Sequence, residues 1–75
     1  MDTEKVEKVE KRLKELEEEL YPLTDDKLKE LQFVIYEDIC FAQENEDWGD
    51  YQYSALLYNR VVDLRNELKK SSIGN

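Results

Sequence analysis

Apolar residues recur along the first part of the chain at alternating spacings of three and four: Val6, Val9, Leu13, Leu16, Leu20 and Leu23. An α-helix turns once in about 3.6 residues, so this spacing lines them along one narrow seam and predicts a helix over residues 3–20. Thr3 or Asp2 offers a side-chain oxygen to cap its start. Glu4 with Lys8, Glu7 with Lys11 and Glu10 with Lys14 are glutamate-before-lysine pairs four apart, each contributing about 0.2–0.5 kcal/mol on an exposed face. Pro22 ends the pattern, since its ring clashes with a preceding helical turn and it has no N–H to donate.

A second start follows immediately. Thr24 precedes Asp25 and Asp26, an N-cap followed by acids that suit the positive end of a helix, and predicts a helix over 25–43. Its apolar residues, Leu28, Leu31, Phe33, Val34, Ile35, Ile39, Cys40, Phe41 and Ala42, cover more than one stripe, which makes this helix the expected centre of the fold with neighbours on two sides. A third helix is predicted over 50–70, opening at Asp50 or Tyr51, with Tyr53, Leu57, Val61, Leu64 and Leu68 on one face and Leu56 and Val62 widening it. Lys69 and Lys70 suit its negative end, and residues 71–75 read as a flexible tail. The expected fold is all-α and a single domain over 1–75: a small three-helix bundle, or a long N-terminal helix with an antiparallel helical hairpin. The seam Val6, Val9, Leu13, Leu16 and Leu20 has a competing use as an oligomerisation element pairing with its copy in a homodimer.

Composition narrows the function classes. The 75 residues are 40% hydrophobic and 40% charged, with two glycines, one proline and no histidine, too apolar for a disordered tail and too poor in turn residues for an all-β fold. No apolar run approaches the roughly 18 residues of a membrane span, and the first residues lack the hydrophobic stretch of a signal peptide, so a cytoplasmic protein without membrane association is expected. The lone Cys40 accords with a reducing compartment and reads as a small hydrophobe. The net charge of −8 argues against direct nucleic-acid binding, which needs clustered Lys and Arg.

That charge is unevenly placed. Residues 1–29 carry ten acids and seven bases, residues 60–75 two acids and four bases, and residues 30–59 seven acids and no base. Glu30, Glu37, Asp38, Glu44, Glu46, Asp47 and Asp50 therefore have no basic neighbour in sequence, while Phe33, Tyr36, Phe41, Trp48, Tyr51, Tyr53 and Tyr58 share the span. Acidic and aromatic residues together suit an interface. Within "ENEDWGD", residues 44–50, Gly49 is expected to supply the turn, and Trp48 either folds back to cap the open end of the hairpin or waits for a partner's pocket.

Asp50, Tyr51, Ser54, Ala55, Leu57, Tyr58 with Asn59, Val61 and Leu64 resemble, in type and spacing, the second half of the UVR motif. That motif is the helical hairpin of the excision-nuclease B and C subunits and of the middle domain of ClpC-type protease ATPases. Leu28, Leu31, Ile35, Ile39 and Ala42 fall where its first helix carries apolar residues, so the resemblance covers residues 28–68. Tyr58 and Asn59 stand where the motif has an Arg-Asp pair, so that pair's contacts do not carry over. The resemblance implies a pairing hairpin that docks onto another protein's helices and performs no chemistry of its own.

Catalytic and metal-binding patterns are missing. An EF-hand loop aligned with Gly49 at position 6 puts Trp48 at 5 and Ala55 at 12, where oxygen ligands are needed. Zinc lacks ligands with one Cys and no His, and two glycines cannot form a phosphate loop. Glu37 and Asp38 point about 100° apart on a helix and cannot share a substrate. The expectation is a non-enzymatic, cofactor-free interaction module, an adaptor or inhibitor of a protein with a basic surface, such as a regulatory ATPase or a nucleic-acid enzyme. Compact acidic chains of this kind fit a phage or mobile-element origin. The expected partner-binding residues are Phe33, Tyr36, Glu37, Asp38, Glu44, Glu46, Asp47, Trp48, Asp50, Tyr51 and Tyr53. Two alternatives are a coiled-coil-like structural protein and a DNA mimic that blocks a DNA-binding protein.

Overall fold

The computed structural model describes residues 3–73, with side chains for residues 3–70. Three helices, α1 (Thr3–Glu19), α2 (Asp25–Glu44) and α3 (Trp48–Ile73), make a three-helix bundle with no strand among the described residues. The directions follow from the cross-links. Lys5 Nζ donates to Gln52 Oε1 at 2.7 Å and Arg60 meets Glu10 at 3.0 Å, so α1 and α3 run the same way. Arg65 meets Asp25 and Tyr58 faces Tyr36, so α2 runs against α3.

Apolar spacing decides what each helix buries. Val9, Leu13 and Leu16 of α1 join Leu28 and Ile35 of α2 and Leu57 and Val61 of α3 in one core, flanked by Leu23, Leu31, Ile39, Tyr53, Tyr58, Leu64 and Leu68. The bundle thus uses the middle of the α1 seam within the monomer; Val6 is more open and Leu20 is half-buried in the turn. The centre is α3, not α2. α3 packs along both of the others, whereas no Cα of α1 comes within 8 Å of one in α2. Two apolar stripes on α2 predict two neighbours, but only one stripe is covered.

In the first connection Thr24 caps α2, as its place before Asp25 and Asp26 leads one to expect. Its Oγ1 accepts from the Lys27 backbone N–H at 3.3 Å, an N-cap that satisfies one of the orphan donors of α2. Leu20 N–H still bonds to Leu16 at 2.9 Å, and then the chain turns through Pro22. The last turn of α1 holds acids and no base, the wrong charge for a helix C-terminus. Lys27 Nζ compensates from α2, donating to the Leu20 and Pro22 carbonyls at 3.0 Å each. Thr3 is already helical rather than a cap, and Asp2 lies outside the described residues.

The second connection departs from expectation. It consists of residues 45–47, because α2 continues to Glu44 and α3 opens at Trp48. Gly49 is inside α3 and has no positive φ; Glu46, at φ 56°, makes the left-handed turn. Asp47 N–H bonds to the Ala42 carbonyl at 2.9 Å and Glu46 N–H to that of Gln43 at 3.1 Å, the paired bonds of a Schellman stop. The Asn45 side chain adds a bond to the Phe41 carbonyl at 2.8 Å. Asp47 then caps α3, its Oδ1 accepting from Asp50 N–H at 3.2 Å and its carbonyl from Tyr51 N–H at 2.9 Å. At its far end α3 continues through 71–73, where a tail is expected; residues 74–75 lie outside the described residues.

Candidate functional site

The surface that the fold leaves uncovered is set by the seven-residue periodicity of α2. Two helical turns take about 7.2 residues, so side chains seven apart form nearly straight columns. Leu28, Ile35 and Ala42 are such a column, and all three are buried. On the other side of the helix, Glu30, Glu37 and Glu44 form a second column, flanked by Phe33 with Cys40 and by Val34 with Phe41. The glutamates are exposed and Cys40 is half-buried. Phe33 is 64% exposed, Val34 54% and Phe41 68%. These apolar side chains stand in solvent, interleaved with acids.

One edge of this face closes against α3. Tyr36, itself half-exposed, approaches Tyr58 with ring centroids 6.5 Å apart and planes at 51°. Tyr58 Oη is bonded to Gln32 Nε2 at 2.9 Å, Gln32 Oε1 accepts from Arg65 at 2.8 Å, and Arg65 holds Asp25 through two N–H donors at 2.9 and 3.2 Å. The guanidinium bond lowers the pKa of Asp25 below the ordinary aspartate range and, reciprocally, raises that of Arg65. This chain of bonds clips α2 to α3 and lines an open groove of about 270 Å³ with Lys29, Gln32, Phe33, Tyr36, Tyr58 and Arg65. A larger open cleft, about 460 Å³, lies where the end of α1 and the first connection meet α3, between Glu17, Tyr21, Leu23, Leu64, Glu67 and Leu68.

The expected partner-binding residues divide accordingly. Phe33, Tyr36, Glu37 and Glu44 are exposed along α2. Asp38 is exposed but turned about 100° from Glu37. Glu46, Asp47 and Asp50 belong to the turn and cap just described. Trp48 does not plug the core: it is 54% exposed and meets the half-buried Tyr51 edge-on at 5.6 Å. Tyr53 packs on the core beside α1, in a groove with Lys8, Lys11, Arg12 and Glu15, away from the α2 face. Glu30, Val34, Cys40 and Phe41 are absent from the expected set, although their seven-residue recurrence is visible in the sequence. Of the seam assigned to oligomerisation, Val9, Leu13 and Leu16 are buried within this chain.

Among the described residues, no group of three or more Cys, Asp or Glu is placed to hold a metal ion, and no helix is long and apolar enough to cross a membrane. No protein-family model, curated protein or solved structure matches the chain.

Proposed function

We propose that the protein is a small non-enzymatic docking module of the cytoplasm that binds another protein through the outer face of α2. One observation carries this reading: the exposed row of Phe33, Val34, Tyr36 and Phe41 beside acids that have no basic residue between positions 30 and 59. A chain this short buries only about 60% of its unfolded surface, and apolar burial supplies about 25 cal/mol per Å². Leaving two phenylalanines in water is therefore a sizeable loss for so small a core, and contact with a partner recovers it. The antiparallel α2–α3 pair accords with the pairing hairpin that residues 28–68 resemble.

The alternatives fit this surface less well. Coiled-coil self-association through α1 requires Val9, Leu13 and Leu16 to leave the core. DNA mimicry requires dense charge, whereas successive glutamates of the α2 column lie about 10 Å apart and duplex DNA carries one charge per roughly 1.7 Å of axis. The test is affinity capture from a bacterial lysate by the wild-type chain, by a Phe33→Ala/Phe41→Ala variant and by a Lys8→Ala control on α1. The expected result is a bound protein retained by wild type and control and lost by the double variant, with helicity unchanged by circular dichroism. Capture unaffected by the double variant would refute the assignment.

A further inference from the structure

We infer that the occupant of the outer α2 face is a basic amphipathic helix of another protein, lying lengthwise along α2. The inference rests on the docking function proposed above and deepens it by specifying the partner's chemistry. Columns that repeat every seven residues suit a second helix laid alongside, which can follow the same slow supercoil. α2 shows that its register is suited to this, because the inner column of Leu28, Ile35 and Ala42 is buried to within a few per cent along its whole length. The outer columns have the same period and no helix against them. From Glu30 to Glu44 the face runs about 21 Å, four turns of helix.

Charge selects the occupant. Glu30, Glu37 and Glu44 run between the two apolar columns, so a second copy of α2 on this face would set glutamates against glutamates. α1 of a second copy offers no better complement, because its apolar residues Val9, Leu13 and Leu16 are buried. An anionic lipid surface is repelled for the same reason as a second α2. A helix with Lys or Arg along the middle of its contact face and apolar residues in the columns on either side covers Phe33 and Phe41 while placing a cation near each glutamate. Such charge pairing sets the partner and its orientation, and the apolar contacts supply most of the affinity.

The experiment uses the full chain and synthetic peptides of roughly three heptads. One carries Lys and Arg in a central column at seven-residue spacing with leucines in the columns on either side. A second replaces those bases with Glu, and a third keeps the bases but scrambles the leucines out of register. Fluorescence anisotropy of labelled peptide reads the affinities, and sedimentation of the chain alone reads self-association. The basic in-register peptide is expected to bind at least about tenfold more tightly than the other two. Phe33→Ala/Phe41→Ala should weaken it by a similar factor, and Glu30→Lys/Glu37→Lys/Glu44→Lys should reverse the preference toward the acidic peptide. Equal binding of all three peptides, or no binding of the basic one, overturns the inference. So does self-association abolished by the phenylalanine substitutions, which would place a second copy on the face. If the peptides fail while lysate capture still depends on Phe33 and Phe41, the docking face stands and only the basic helix is excluded; if both fail, the face itself falls.

Discussion

Glu46 shows how a single residue is held where its own preference is poor. Left-handed backbone brings Cβ too close to the following carbonyl and costs a non-glycine residue about 1–2 kcal/mol. Glu46 sits there at φ 56° because the bonds from Asp47 and Glu46 to Ala42 and Gln43 complete the end of α2, and because Asp47 must turn at once to cap α3. Replacing the side chain removes the strain without touching those bonds. Glu46→Gly should therefore stabilise the fold by about 0.5–1 kcal/mol, raising the thermal midpoint by roughly 4–8 °C per kcal/mol for a domain of this size. A melt followed by circular dichroism checks it; an unchanged or lowered midpoint would mean that the Glu46 side chain contributes something its geometry does not show. The glycine in sequence near this turn is Gly49, and proximity alone makes it the natural candidate. Only the hydrogen bonds reveal that the reversal comes three residues earlier.

At the scale of elements, α2 carries two faces with one period and opposite fates. Ile35 is 3% exposed and its neighbour Val34 is half in water. Ile35→Ala should cost about 2–5 kcal/mol through lost contacts and the cavity left behind, whereas Val34→Ala should stay within about 0.5 kcal/mol. Urea unfolding of the two variants provides the comparison, and a large loss at Val34 would show that the outer face is covered after all. The helices themselves were legible: the α1 seam, Pro22 and the Thr24 cap are local signals with local causes. The identity of the central helix was not, since two apolar stripes on α2 are compatible both with two neighbours and with one neighbour and a vacant face. The clip between α2 and α3 was also illegible, because Asp25 and Arg65 are forty positions apart and meet only when the hairpin closes. Its consequence is a pH dependence. The bond from Arg65 lowers the folded-state pKa of Asp25, so its contribution is fully present above the unfolded value and is lost as pH falls through the folded one. Asp25→Asn should therefore be less stable than wild type near neutrality, with the gap closing on the acid side of about pH 4. A gap of constant size down to acid pH would show that the carboxylate's charge is not what holds the clip.

For the whole molecule the governing quantity is a net charge of −8 concentrated in its middle. Like charges that find no counterpart oppose compaction, and the exposed pairs Glu10–Arg60 and Arg12–Glu15 offset little, since such pairs contribute about 0–1 kcal/mol. Screening acts on the repulsion first. The Debye length falls from about 10 Å at 0.1 M salt to about 3 Å at 1 M, which spans the roughly 10 Å step between successive glutamates of the outer α2 column. Sodium chloride should therefore raise the melting midpoint of the free chain while weakening its capture of a basic helix, because the same acids repel one another within the fold and attract the partner across the interface. Parallel salt series of thermal melts and peptide anisotropy test the two effects together. A midpoint that falls with salt would make the ion pairs, Asp25 with Arg65 above all, the dominant electrostatics. Affinity that holds or grows while the midpoint rises would leave Phe33 and Phe41 as the source of binding and remove the glutamates from recognition.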